Sequence, residues 1–350
     1  MSSGVPDRMR RVVIRRHGSF DVLEIEHGPV PEPGPGEALL RVKAASLNHL
    51  DTWVRRGMEG VTFPLPIVPG SDASGIVAAV GAGVSSPKPG DEVVLSPGTS
   101  CGRCVACASG REPLCRHYGI IGEHGNGTDA EFAVFPAANC LPKPKNLSFE
   151  EAAAVPLVFL TAWHMLVARA AVRPGETVLV HAAGSGVSSA AIQVAKLFGA
   201  RVFVTAGADS KLEKARALGA DEGINYRSSD FLSEVRRLTG KRGADVVIDH
   251  VGADTFERSV RALAPGGRVV TCGGSSGPAV SLDVRPIFFK GLSILGSTMG
   301  SRAELLEILD HFAAGRLRPV VDSTFPLADV AKAHRRMAER DVFGKIVLIP

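Results

Sequence analysis

The chain has 350 residues, 45% hydrophobic and 22% charged, with a formal net charge of +4. That length suits two domains with separate cores, and the composition is that of an ordinary globular protein. So small a charge argues against nucleic-acid binding, and no apolar run is long enough for a membrane span.

At the start, Met1–Asp7 lacks the apolar core of a signal peptide, which gives a cytoplasmic expectation. The basic cluster Arg8–Arg16 reads as a lead into the first strand. Residues 9 to 150 read as mostly β, with strands expected at Arg11–Ile14, Glu37–Val42, Gly75–Val80 and Glu92–Leu95. Turns such as Pro31–Gly36 and Pro87–Gly90 divide them. Many short strands at close spacing predict a barrel-like β domain. Ser148, with Glu151 three residues on, predicts a helix start.

From Thr161 the texture alternates. Strands are expected at Thr177–His181, Arg201–Thr205, Val246–Asp249, Arg268–Cys272 and Ser293–Leu295, with helices such as Asp209–Leu218 and Phe231–Leu238 between them. That order implies right-handed crossovers and a doubly wound parallel sheet. Beyond residue 300, a helix (Ala303–Ala314) and a last strand (Lys345–Leu348) are expected to return to the first domain. The predicted domains are 1–158 with 300–350, and 159–299.

Two motifs carry chemistry. In the first, the strand Val178–His181 runs into the small residues Ala182–Ser189 and then a helical pattern at Ala190, Ile192, Val194, Ala195 and Leu197. A strand, a small-residue turn and a helix N-terminus form a pyrophosphate cradle, where a Cβ would hold the phosphate away. Gly184 and Gly186 fit the dinucleotide fingerprint, while Ser189 takes its third position. In the second, Cys101, Cys104, Cys107 and Cys115 fall within fifteen residues. Four thiolates close a tetrahedral zinc shell with no open position, so one structural zinc per chain is expected. The close spacing favours a metal in a reducing compartment over disulfides. An iron–sulfur cluster is the rival metal.

The glycine turn, the cysteine loop and the order of β domain then Rossmann domain together resemble the medium-chain dehydrogenase/reductase superfamily over nearly the whole chain. Val68–Val77, Lys88–Val93, Leu160–Trp163 and Lys345–Leu348 support the resemblance. It implies a GroES-like β-barrel catalytic domain beside the Rossmann domain. The cysteine loop is similar to that of the zinc alcohol dehydrogenases, but the positions of their catalytic zinc ligands hold Asn48, Ser71 and about Leu157. Amide, hydroxyl and isobutyl groups cannot replace thiolate and imidazole. The proton-relaying hydroxyl of those enzymes is also missing, at Leu50.

The stretch Ala45–Gly57 instead resembles the quinone oxidoreductase and enoyl reductase branch, which uses no catalytic metal. Without a Lewis acid, the acceptor must delocalise its own charge, as a quinone, enone or enoyl thioester does. Asn48 is then the candidate hydrogen-bond donor, His49 the candidate proton donor and Trp53 the candidate stacking surface; packed structural roles remain open for His49 and Trp53. Asp51 and Asp72 are read as holding the local backbone.

The second Rossmann strand ends in Ala206-Gly207 with no carboxylate, which relieves repulsion against a 2′-phosphate. The resemblance implies NADPH, with NADH as the other possibility, contacted at Thr161, Gly184, Ser185, Gly186, Val187, Ser188, Gly207, Ser210, Lys211, Tyr226 and Lys345. Lys211 and Tyr226 would meet the 2′-phosphate and Lys345 the pyrophosphate. Asp209 dissents, being able to meet a ribose hydroxyl. A homodimer or homotetramer is implied, through the sheet edge near Ser293–Leu295. Two rival readings are a zinc alcohol dehydrogenase using His49 and Asp72, and a cofactor-binding protein with little turnover.

Overall fold

The computed structural model describes residues 4–350. The chain divides into two compact units, one reaching to Leu157 and including Ser301–Pro350, the other Val158–Gly300. Its strands in chain order are β1 (Arg8–Val13), β2 (Glu24–Pro29), β3 (Glu37–Ser46), β4 (Asp72–Val80), β5 (Glu92–Leu95), β6 (Gly98–Thr99), β7 (Gly119–Ile120), β8 (Phe132–Pro136) and β9 (Cys140–Pro142). The second unit holds β10 (Thr177–Val180), β11 (Arg201–Ala206), β12 (Glu222–Asn225), β13 (Ala244–Ile248), β14 (Leu263–Thr271) and β15 (Ser293–Gly296). The chain then returns to the first unit with β16 (Val321–Pro326) and β17 (Lys345–Ile349).

In the first unit a seven-stranded sheet runs β16-β17-β3-β4-β5-β9, with β8 also paired to β3. All its pairs are antiparallel except β16 with β17. β3 organises it, because alternate side chains of a strand serve opposite faces. Leu40 and Val42 pack in one core with Ile14, Ile67 and Leu95, while Leu39 faces a second cluster with Met9, Val13 and Phe132. The barrel-like β domain read from strand spacing is the GroES-like architecture observed here.

In the second unit six parallel strands run β12-β11-β10-β13-β14-β15. Val178, Leu179, Val180, Val246, Val247 and Ile248 are all fully buried, as strands covered on both faces must be. This is the predicted doubly wound sheet. The strand expectations omitted β12, whose Glu-Gly-Ile-Asn sequence has a single branched apolar residue and joins only through its pairing with β11. No helix among the described residues is long and apolar enough to cross a membrane.

One side chain ties the sheet to what precedes it. Arg268 on β14 makes two 2.7 Å bonds to the Glu176 carboxylate and donates to the carbonyls of Ala170 and Ala171. Both partners are largely buried, with side-chain exposures of 14% and 19%. A bidentate pair so placed is strong, and losing one member strands the other. Arg268→Ala is expected to destabilise the protein by about 3 kcal/mol in urea unfolding. Arg10→Ala, which breaks the more exposed pair with Glu131, should cost less than about 1 kcal/mol.

Candidate functional site

The first unit gathers its polar groups where β3 ends. Ser46 and Leu47 give way to Asn48, and the helix His49–Arg56 follows, its first turn closed by the Asp51 carboxylate accepting the Asn48 N–H at 2.7 Å. Asp72, which opens β4, is fully buried and accepts four bonds. Its Oδ1 takes the Leu157 N–H at 2.9 Å; its Oδ2 takes Asn48 Nδ2 at 2.9 Å, Lys345 Nζ at 3.1 Å and Ser46 Oγ at 3.3 Å. Lys345 Nζ also donates to Asn48 Oδ1 at 2.5 Å and to the Leu47 carbonyl at 2.7 Å.

This knot engages two of the expected site residues. All three Lys345 protons are directed at protein acceptors, so Lys345 has none left for a pyrophosphate. Asn48 is not a free donor either, since Nδ2 points at Asp72 and, at 3.4 Å, the Ser46 carbonyl. Asp51 and Asp72 hold the backbone as read. The positions of the missing ligands converge here: Asn48 is bonded to Lys345, Leu157 gives Asp72 its backbone N–H, and the Ser71 hydroxyl is buried without a partner.

Next to the knot lies a pair of buried carboxyls. Both oxygens of Asp129 and Oδ1 of Asp51 lack hydrogen-bond partners. Gly70 separates them in a left-handed conformation (φ +95°), where a Cβ would fall 2.4 Å from Asp129 Oδ1. Burial pushes the Asp51 pKa up to about 7, and burial with the Asp51 charge pushes Asp129 well above the carboxylate range. Nothing in the sequence marked Asp129.

His49 and Trp53 share the outer face of their helix, rings edge-on with centroids 5.4 Å apart. Trp53 packs partly into the core, so it serves the packed role at least in part. Desolvation, with the cations of Arg340 and Arg56, lowers the His49 pKa. The imidazolium is therefore depleted near neutral pH. That weakens His49 as a proton donor.

In the second unit, the strand-to-helix turn forms as read. Ala182, not a glycine, takes the positive φ of +52°. Ser185 caps the helix Gly186–Leu197 by accepting the Ser188 N–H at 3.0 Å. The Ser188 hydroxyl donates to the His181 carbonyl at 2.6 Å and lies 2.9 Å from His250 Nε2. These bonds leave the N–H groups at Gly186 and Val187 for an anion at the helix start. Below the turn, buried His181 bridges Thr205 (3.0 Å) and Ser259 (2.9 Å), and Ser259 donates to Asp249 at 2.7 Å. Sequence reasoning missed this chain because its members are far apart and look like ordinary strand ends. Thr161 is buried, its hydroxyl 3.9 Å from the sulfur of Met299.

At the end of β11, a Cβ on Gly207 would fall 2.6 Å from the Tyr226 hydroxyl and 3.2 Å from Arg227 Nε. Tyr226 and Arg227 thus overlie the residue where a ribose-binding carboxylate would stand. Arg227 was not singled out, although its place beside Tyr226 was the available signal. Asp209 accepts from Asn225 Nδ2 at 2.8 Å, which occupies one of its oxygens. Ser210 is exposed and Lys211 half-buried one turn into the same helix.

The four cysteine sulfurs lie within 4.8 Å of one another. Cys101 to Cys107 is 3.9 Å, Cys104 to Cys107 3.5 Å and Cys101 to Cys115 3.6 Å. A zinc at about 2.3 Å from each sulfur gives a tetrahedral edge of about 3.8 Å, so the donor set fits that ion. The backbone N–H groups of Arg103 and Cys104 lower the Cys101 pKa to about 6, favouring the thiolate a metal needs.

Comparison with known proteins decides the family. Residues 34–145 match the alcohol dehydrogenase GroES-like domain and residues 186–314 the zinc-binding dehydrogenase domain. The 2-haloacrylate reductase of a Burkholderia species is 34% identical over 355 residues, covering 97% of this chain and 98% of its own. The chain is a medium-chain dehydrogenase/reductase.

Within that superfamily it is also similar to the quinone oxidoreductase of Pseudomonas aeruginosa, 33% identical over 97% of this chain and 99% of that one. A solved NAD-dependent alcohol dehydrogenase is 57% identical, with a TM-score of 0.94, covering 98% of this chain and all (100%) of its own. An oxidoreductase acting on small molecules is thereby established.

The titrations of this dehydrogenase/reductase give its stability two limbs. Asp51 and Asp129 are held protonated by burial, so their contribution is full below the unfolded value of about 3.9; it is lost as pH rises through about 7 for Asp51 and through the raised pKa of Asp129. Burial lowers His181 to about 4 and His334 to about 3, so theirs is lost as pH falls below the unfolded value of about 6.5. Asp129→Asn removes one alkaline group while keeping its shape. The unfolding midpoint between pH 6 and 8 should flatten, with a gain on the order of 1 kcal/mol at pH 8. An unchanged slope would show that Asp129 does not titrate there.

Proposed function

We propose that this chain is an NADPH-dependent reductase of quinones or activated C=C bonds that uses no catalytic zinc. The observation that carries the reading is the knot of Asn48, Asp72 and Lys345. Where zinc alcohol dehydrogenases place ligands, this chain places an amide bonded to a buried ammonium, an unpartnered hydroxyl and a leucine whose backbone N–H is bonded to Asp72. A divalent ion there would meet a cation in place of thiolates. His49, exposed on the helix, and Asp72, saturated by four donors, do not make a replacement shell.

The nicotinamide supplies the hydride when bound. The chain's own residues hold the pyrophosphate at the Gly184–Ser188 turn and meet the adenosine ribose at Gly207. Charge developing on a quinone or enone oxygen is spread by the substrate itself, so a fixed positive field from Lys345 and modest donors suffice. The proton comes from solvent, since desolvation and the neighbouring arginines disfavour the charged form of His49.

Lys211, Tyr226 and Arg227 support the choice of NADPH: an arginine and a lysine beside a position without a carboxylate suit a 2′-phosphate. The similar alcohol dehydrogenase is NAD-dependent by name, which makes NADH the alternative cofactor. Arg227→Ala and Lys211→Ala should each reduce the preference for NADPH over NADH by about tenfold in kcat/KM. Equal losses with both cofactors would favour NADH as the physiological one.

The exposed edge strand β15, with Ile294 outermost at 41% exposure, and the neighbouring exposed Phe288 and Phe289 support a homo-oligomer. We place one structural zinc on the four cysteines. Elemental analysis should find one equivalent per chain, and Cys107→Ser should lose it and lower the thermal midpoint. Two equivalents would restore the zinc alcohol dehydrogenase reading.

A further inference from the structure

A closed circuit of hydrogen bonds lies behind the phosphate turn of the second unit, and the protons available fix the direction of each bond. The Ser259 hydroxyl gives its proton to Asp249 at 2.7 Å, so it accepts from His181 Nε2 at 2.9 Å. Burial keeps the His181 imidazole neutral, which leaves Nδ1 to accept from the Thr205 hydroxyl at 3.0 Å. On the other side of His181, its carbonyl takes the Ser188 proton at 2.6 Å, while Ser188 Oγ takes that of Ser185 at 2.8 Å. His250 Nε2 stands 2.9 Å from the same Ser188 oxygen. A bare nitrogen there would set two lone pairs against each other, so Nε2 carries a proton and donates it. Ser185 Oγ lies 3.3 Å from that nitrogen and shares the bond.

Asp249 and His250 are consecutive residues just past β13, so one peptide anchors both ends of the circuit. Asp249 reaches the His181 side chain through Ser259, and His250 reaches the His181 main chain through Ser188. The Asp249 carboxylate also accepts the Thr255 hydroxyl at 2.8 Å and the N–H groups of Val251 and Gly252 at 2.9 and 3.1 Å. Those bonds stiffen the loop from which His250 projects. His181, Ser188, Asp249 and Ser259 are buried, and His250 is partly exposed beside Ser185, Gly186 and Val187.

We infer that His250 is a positioning residue for the cofactor pyrophosphate, acting through Ser188. Its Nε2–H holds the Ser188 hydroxyl on the His181 carbonyl and thereby sets the direction of the first helical turn. The Ser188 N–H is already spent on Ser185 at 3.0 Å, so the anion depends on the N–H groups of Gly186 and Val187. A small rotation of that turn would misalign both, since hydrogen bonds weaken steeply with angle. The inference rests on the reading of the Gly184–Ser188 turn as the pyrophosphate site and adds the side chain that fixes it. It needs a donor at His250 rather than a charge, and glutamine carries an N–H the same number of bonds from the backbone.

ADP-ribose, which carries the pyrophosphate, and adenosine, which does not, form the matched ligand pair. Their dissociation constants are read from displacement of bound NADPH or NADH, followed by nicotinamide fluorescence. His250→Met should weaken ADP-ribose by about tenfold and adenosine by less than about twofold, and should raise the KM for the nicotinamide more than it lowers kcat. His250→Gln should recover most of the loss. In a Ser188→Ala background, His250→Met should cost nothing further, because the bond it removes is already gone. Equal losses for the two ligands, or no loss for either, overturn the inference. So does a His250→Gln protein as weak as His250→Met, or a further full loss in the Ser188→Ala background. If the wild-type protein binds neither NADPH, NADH nor ADP-ribose, the dinucleotide reading fails and this inference with it.

Discussion

The buried ammonium of Lys345 is the constraint around which the first unit is arranged. An ammonium taken out of water must be met by acceptors on every side, and here they come from separate parts of the chain. Asp72 brings β4, Asn48 and Leu47 bring the end of β3, and Lys345 itself opens β17. Because Asp72 also receives the Leu157 N–H, the chain just before the second unit is fixed to the same carboxylate. A hydrophobic replacement could be equally stable; what the charged knot adds is a defined geometry for the Asn48 amide.

On the proposed reading without a catalytic zinc, the same knot accounts for how the fold holds together at this place. Lys345, Asp72 and Asn48 join β17, β4 and the end of β3. The chemistry differs, however. A lysine held by three acceptors contributes a fixed field but offers no open coordination position, so it cannot polarise an unactivated carbonyl as zinc does. The structural cysteine lobe is independent of this change, since its four sulfurs approach one another through bonds within residues 100 to 117.

Much of the architecture was legible in the sequence because it depends on local signals. The strand–turn–helix at Val178–Leu197, the capping box at Ser148 and the four-cysteine loop each arise from residues close in sequence. The roles of Lys345 and Asn48 were not legible, because they depend on which distant groups share a buried volume. Lys345 is expected at the pyrophosphate by resemblance, and nothing near it in sequence points to Asp72, 273 positions earlier and 3.1 Å away. Asp129 failed for the same reason, and β12 because its membership comes from a neighbour rather than its own composition. Arg227 is different: it stands next to Tyr226, an expected cofactor contact, and overlies Gly207 with it.

The two buried carboxyls sharpen what the fold tolerates at its centre. Unpartnered acid oxygens far from solvent are expensive as anions, so Asp129 is held neutral and Asp51 titrates near pH 7. Gly70 sets their separation, since any side chain there would strike Asp129 and Thr128. The neighbouring Asp72 accepts from an ammonium and three other donors, whereas Asp129 has no partner. Burial is complete for all three, so what distinguishes them is hydrogen-bond supply.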